Sequence, residues 1–156
     1  MPKVSRTGRP VARRKWPVVF ILTTGCLLWL CTSKPSNNSS PKFEQYFVKG
    51  EQLYSAHCSN CHQKNGKGLG KLYPPLDTSD YMSDSLGKVL CLIRYGKSGE
   101  IIVNGKSYNQ PMPGIAELTD LEIAEIATYI YNSWTHQKGI IDVKETSKAL
   151  SNCRDL

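Results

Sequence analysis

Apolar and small residues recur at helical spacing near the start of the central part of the chain. They lie at positions i, i+4, i+7 and i+11, which form one face of a helix: Phe43, Phe47, Gly50 and Tyr54. A glycine inside a helix costs about 1 kcal/mol relative to alanine. Gly50 therefore predicts the close approach of a second helix at this position.

Two further segments show the same periodicity. Residues 85–95 form the second predicted helix, with Ser83 or Asp84 as its N-terminal cap. The third helix opens with a capping box between Thr119 and Glu122. The buried stripes predicted for these two helices are Leu86, Val89, Leu90 and Ile93, and Ile123, Ala127, Ile130 and Trp134.

The segments between these helices favour loops and one small hairpin. Residues 65–75 are rich in glycine and proline, and residues 101–108 predict a β-hairpin that turns at Asn104-Gly105. The pattern predicts a mainly α domain over residues 43–134, with three core helices, a short β-hairpin and long loops. Because much of this segment is loop, its hydrophobic core is thin, and we expect a non-protein group to fill it.

The first 31 residues have the layout of an export signal or membrane anchor: a basic head followed by a short apolar run. The run at residues 18–31 would span roughly 21 Å as a helix, which is short for a bilayer core of about 30 Å. Acylation at Cys26 or Cys31 and an uncleaved anchor remain equal alternatives, and both are favoured over a released protein. Residues 32–42 predict a flexible tether, and residues 135–156 form a C-terminal tail.

The net charge of +7 belongs to the leader. Six of the 20 basic residues lie in residues 1–31, which contain no acid, so the remainder carries 14 basic and 13 acidic residues. A nearly neutral domain lacks the electrostatic pattern of a nucleic-acid-binding protein. We expect the positive head to remain in the cytoplasm and the domain to be delivered outside it.

The strongest chemical signal is the sequence Cys58-Ser59-Asn60-Cys61-His62. Two thiols at this spacing can each add to a vinyl group of one porphyrin, and the adjacent imidazole can bind its iron. A zinc site would need further ligands, and the domain has no second CxxC pair. A thioredoxin-like pair would follow a strand, whereas a helix precedes this one.

With these surroundings, residues 43–134 resemble a class I c-type cytochrome. Gly50 and Tyr54, facing Ile126 and Tyr129, are similar to the helix crossing of that family. The segments Pro74-Pro75-Leu76 and Gln110-Pro111-Met112-Pro113-Gly114 are similar to its two loops around the haem. The resemblance implies the cytochrome c fold and one covalent haem c. It also implies that the Pro74 carbonyl orients His62, and that His62 and Met112 are the axial ligands of the iron.

Independently of the resemblance, the residues around Met112 make it a candidate axial ligand. It lies between Pro111 and Pro113, which restrict the backbone on both sides and limit the reach of its sulfur. Without a haem, a buried methionine would be core filler. Three weaker candidates remain: Met82, His57, which adjoins Cys58, and His136, which we expect to be exposed in the tail.

Two cysteines are left after the leader and the haem motif are accounted for, Cys91 and Cys153. On a helical wheel Cys91 lies roughly 140° from Leu86 and points away from the core stripe. Outside the cytoplasm such thiols tend to oxidise. We predict a Cys91–Cys153 disulfide that holds the tail over the second helix; two free thiols are the alternative.

The expected function is electron transfer without catalysis, since iron with two axial ligands has no free position for a substrate. We expect a membrane-tethered carrier, on the periplasmic side of a Gram-negative bacterium, between a donor reductase and an acceptor oxidase or reductase. Lys64, Lys67 and Lys71 could steer an acidic partner, although exposed lysines are usually only solvated. The alternatives are a haem enzyme or sensor with an exchangeable ligand, and a permanent subunit of a respiratory complex.

Overall fold

Three helices from distant parts of the chain cross to form the interior. The structure is a computed structural model that describes residues 40–153; the proposed leader and most of the proposed tether lie outside that range. Its helices are α1 (Pro41–His57), α2 (Ser59–His62), α3 (Asp80–Asp84), α4 (Leu86–Tyr95), α5 (Asp120–Ile130) and α6 (Val143–Leu150). Its strands are β1 (Gly96–Lys97), β2 (Ile101–Val103), β3 (Lys106–Tyr108) and β4 (Met112–Pro113).

These elements confirm the predicted mainly α fold, with α1, α4 and α5 as core helices and β2–β3 as the hairpin. The hairpin turns at Asn104 and Gly105, whose φ angles of 51° and 70° are those of a tight turn that asparagine and glycine adopt readily. No helix between residues 40 and 153 combines the length and apolar character needed to cross a bilayer.

Helix α1 crosses α5 at Gly50. A Cβ built on Gly50 would lie 2.9 Å from the Tyr129 Cβ, so only glycine allows this approach. The helix begins at Pro41 behind the cap Ser40, which places the last two residues of the predicted tether inside α1. The buried residues of α1 are Tyr46, Gly50, Leu53 and Tyr54. Only Gly50 and Tyr54 belong to the predicted stripe, so the buried side of the helix is rotated from the prediction.

Helix α4 is capped by Ser85, whose hydroxyl accepts a hydrogen bond from the Lys88 N–H at 3.4 Å. Neither Ser83 nor Asp84 is the cap, because both belong to the short helix α3 that ends just before it. Helix α4 ends at Tyr95, and its C-terminal cap Gly96, with a φ of 76°, is already the first residue of β1.

Helix α5 begins with the predicted capping box: the Glu122 N–H donates to Thr119 and the Glu122 carboxylate accepts from the Thr119 N–H. It ends at Ile130, so Trp134 follows the helix and does not continue its stripe. The Trp134 ring instead packs against Tyr54 and Tyr129, with ring centroids 5.7 and 5.9 Å away.

The tail contains a helix that the apolar pattern did not predict. Asp142 caps α6, and its carboxylate also pairs with Lys42 at 2.5 Å. The buried residues Thr146 and Leu150 face inward, and α6 packs on both α4 and α5. With eight residues, of which only Val143, Ala149 and Leu150 are apolar, this helix is too short for its periodicity to stand out in the sequence.

Candidate functional site

The Cys58–His62 motif folds as a tight helical turn at the end of α1. Cys58 ends α1, with its N–H donating to the Tyr54 carbonyl at 2.9 Å, and it also precedes α2. The N–H groups of Cys61 and His62 both donate back to the Cys58 carbonyl, at 3.2 and 3.0 Å. Helical positions i, i+3 and i+4 lie on the same side, so the two thiols and the imidazole are neighbours.

The buried His62 ring is held in one tautomer. Its Nδ1 lies 3.0 Å from the Pro74 carbonyl oxygen, which can only accept, so Nδ1 carries the hydrogen and donates it. Burial lowers the pKa of His62, and the bond to Pro74 opposes this shift. The neutral ring therefore keeps a lone pair on Nε2, the form of imidazole that binds metal.

The loop that carries Pro74 is fixed by its own backbone. The Gly66 carbonyl accepts from the N–H groups of Leu76 and Asp77, at 2.7 and 3.0 Å. Gly68 has a φ of 66°, and a Cβ there would lie 2.3 Å from the Tyr73 carbonyl oxygen. The glycines that predicted an irregular loop thus allow the compact turn that presents the Pro74 carbonyl to His62.

A cavity opens beside this turn. His62 and Met112 both line it, as does Cys58. The remaining wall is almost entirely carbon and comes from α1, the Pro74 loop, α3, α4, the hairpin and α5: Tyr54, Pro74, Pro75, Leu76, Ser79, Tyr81, Met82, Val89, Leu92, Ile93, Ile101, Val103, Ile126 and Ile130.

A second cavity shares walls with the first and is lined by Cys61. His62 and Met112 line both spaces. The structure thus brings all four predicted haem residues to one apolar cleft. A cleft with two thiols at one edge, and an imidazole and a thioether in its walls, fits a covalently held porphyrin.

Met112 reaches the cleft on strand β4, which the sequence did not predict. Met112 pairs with Lys97 of β1, and Pro113 pairs with Gly96. The Met112 side chain is half-buried. Two-residue strands are too short for periodicity to reveal.

Both thiols of the motif are half-buried. Burial raises the pKa of Cys58 to about 12, and the neighbouring Cys61 adds to the shift. The Cys58 side chain is therefore a neutral thiol across the physiological range.

The weaker ligand candidates lie in different surroundings. Met82 is buried and also lines the first cavity, so a position in the cavity wall does not by itself separate it from Met112. Its backbone carbonyl accepts from the Tyr131 hydroxyl at 2.8 Å. His57 is exposed; His136, expected to be exposed, is half-buried, with Nε2 3.3 Å from the Leu76 carbonyl oxygen.

Cys91 and Cys153 form a disulfide in the structure, with their Cα atoms 5.7 Å apart. Cys91 is 6% exposed although it points away from the core stripe, because the tail covers it. The bond connects α4 to the residues that follow α6.

The part of the chain that contains the cleft residues is similar to known proteins. A family model for cytochrome c matches residues 47–134. Two relatives from Thermus thermophilus are each called cytochrome c-552 and are 34% identical over 97 residues. The alignments cover 58% of this chain, and 72% and 64% of the two relatives.

Proposed function

The chain belongs to the cytochrome c family, and we propose that it is a one-electron carrier whose covalent haem c is held by His62 and Met112. The observation that carries this proposal is that one apolar cleft is lined by both side chains, with the His62 ring already committed to the Pro74 carbonyl. When bound, the haem supplies an iron that alternates between its ferrous and ferric states.

Cys58 and Cys61 are the proposed attachment points. Each S–H would add across one vinyl C=C bond of the haem, with sulfur bonding to one carbon and hydrogen to the other, so the attachment would need no oxidant. The helical turn fixes both sulfurs relative to the imidazole of the residue that follows Cys61. Attachment would therefore also bring the haem against His62.

His62 and Met112 are the proposed axial ligands. Nε2 is the free nitrogen of His62, since Nδ1–H is bonded to Pro74. A thioether opposite imidazole raises the reduction potential relative to two imidazoles. If His62 and Met112 both bind the iron, the chain leaves no position for a substrate, which favours outer-sphere transfer over catalysis.

The loop between His62 and Pro74 is the proposed docking face. It carries Lys64, Lys67 and Lys71, and two exposed leucines lie among them, Leu69 at 47% and Leu72 at 55% exposure. Exposed apolar residues surrounded by one sign of charge suit a transient contact with an acidic redox partner. We propose a donor reductase on one side of the reaction and an acceptor oxidase or reductase on the other.

We place the domain on the periplasmic side of the cell envelope, tethered to the membrane through residues 1–31 by a lipid or an uncleaved anchor. The basic head and apolar run support export. The Cys91–Cys153 bond supports an oxidising compartment. A flexible tether would keep the haem edge at high effective concentration near membrane-bound partners.

Spectroscopy of the membrane-expressed protein tests the proposal. We expect reduced-minus-oxidised spectra, recorded with and without alkaline pyridine, to show one c-type haem that acid acetone does not extract. The oxidised protein should show the far-red thioether-to-iron absorption band. Absence of that band, together with carbon monoxide binding to the reduced protein, would contradict the carrier and favour a haem enzyme or sensor.

A further inference from the structure

The strand that carries Met112 is bound to the end of α4. Met112 pairs with Lys97, which follows α4 by two residues. A few residues later, the Ile115 N–H donates to the Ile93 carbonyl at 3.0 Å. The backbone on the Met112 side of the cleft is thus attached to the last turn of α4.

Arg94, in that same turn, extends the attachment to the segment between Met112 and α5. One guanidinium nitrogen donates to the Ala116 carbonyl at 2.9 Å and to the Leu118 carbonyl; another donates to the Asp120 carboxylate at 2.6 Å. The Arg94 side chain is 15% exposed and the Asp120 side chain 41% exposed, so the ion pair lies at the edge of the interior. The two carbonyls belong to residues that follow Met112 by four and six positions, so these bonds attach the chain just after Met112 to α4.

The C-terminal tail holds the carboxylate on which Arg94 relies. The Ser147 hydroxyl of α6 donates to the second oxygen of Asp120 at 2.7 Å. The Cys91–Cys153 bond fixes the end of the tail to α4, one helical turn before Arg94. Asp120 is therefore bonded to α4 on one side and to the tail on the other.

We propose that Arg94 is a positioning residue for Met112, and that the tail acts through Ser147 and Asp120 to keep Arg94 in place. This inference rests on the proposed axial role of Met112. Its physical basis is that an external ligand can take the place of the thioether only when the Met112 segment moves. Each bond from Arg94 to residues 116–120 opposes that movement.

Imidazole titration of the oxidised holoprotein tests this. Loss of the far-red thioether-to-iron band reports displacement of the sulfur. Arg94→Gln should raise the affinity for imidazole about tenfold or more, and Ser147→Ala about threefold, as expected for lost charged and neutral hydrogen bonds. Ser151→Ala is the matched control: its hydroxyl donates to the Lys148 carbonyl within the end of α6, and the affinity should not change.

A merely structural role would lower the urea midpoint and leave the imidazole affinity at the parent value, and that result would overturn the proposal. If Arg94→Gln does not fold, Ser147→Ala and Asp120→Asn decide the question by the same criterion. Failure of the axial assignment is distinguishable, because the parent protein would then lack the far-red band. Its spectrum would also be unchanged by Met112→Ala.

Discussion

Gly50 of α1 lies directly against the backbone of Glu125 in α5: a Cβ on Gly50 would lie 2.0 Å from the Glu125 carbonyl oxygen. This contact sets the closest approach of the two helices that carry the Cys58 end of the cleft and its Ile126–Ile130 wall. A backbone carbonyl bonded within a helix cannot move aside as a flexible side chain could. The geometry of the cleft therefore depends on the absence of a Cβ at Gly50.

Gly50→Ala should destabilise the protein despite the better helix propensity of alanine. We expect a loss of about 3 kcal/mol in the free energy of unfolding, at the upper end for overpacking. Gly87→Ala is the control, since the nearest atom to a Cβ there is the Ser85 Oγ at 3.9 Å. That variant should gain up to about 1 kcal/mol. Urea unfolding of both holoproteins measures the difference; equal effects would show that α1 and α5 can separate freely.

Met112→Ala should keep the covalent haem and lose the far-red band. The vacated axial position should then bind carbon monoxide in the reduced state, and the reduction potential should fall because the thioether favours ferrous iron. Met82→Leu is the matched control, because Met82 also lines the cavity and leucine conserves its volume. Loss of the band in the Met82 variant and not in the Met112 variant would reverse the assignment of the sulfur ligand.

The capping box of α5 should make stability depend on acid pH. The Thr119 N–H, bonded to the Glu122 carboxylate at 2.8 Å, lowers the pKa of Glu122 below its ordinary 4.5. A lowered folded-state pKa means that the stabilisation is complete above about pH 5 and is lost as the pH falls through that lowered value. The difference between the urea unfolding midpoints of the parent and of Glu122→Gln should therefore become smaller below pH 4.5. A gap that widens towards acid would contradict this.

Removing the disulfide should lower the stability of the folded protein without releasing the haem. The 62-residue separation of Cys91 and Cys153 corresponds to about 4 kcal/mol in the loop-entropy estimate. The Cys91→Ser/Cys153→Ser variant should unfold at lower urea, while its pyridine spectrum is unchanged. Alkylation of the unreduced parent, followed by mass spectrometry, should modify neither cysteine; labelling of both would show that the bond is absent.

Charge reversal at Lys64, Lys67 and Lys71 should change the rate of electron exchange with small ions. The triple Glu variant should react about tenfold more slowly with anionic hexacyanoferrate at low salt, and faster with cationic hexaammineruthenium. The same substitutions at Lys138, Lys144 and Lys148, on the tail, form the control. Equal effects of both triple variants would mean that net charge matters and the docking face does not.

Much of the fold could be predicted from the sequence because the signals for it are local. The capping box at Thr119, the Asn104-Gly105 turn and the mid-helix Gly50 each depend on residues within a few positions, and each was predicted. The Cys58–His62 motif is equally local, since its function requires a fixed spacing. The buried side of α1 was predicted less well, because the burial of Tyr46 and Leu53 depends on which neighbours pack against the helix.

The sequence alone determined the type of chemistry: a CxxCH segment, one well-placed methionine and two spare cysteines define which atoms are available. Only the tertiary structure decided how they are held. The β1–β4 pairing, the Arg94 bonds to residues 116–120 and the docking of α6 join segments that are up to tens of residues apart, and they leave no periodic trace in the chain. Their energy comes from contacts that exist only after the helices have packed, and so no pattern within a single segment can encode them.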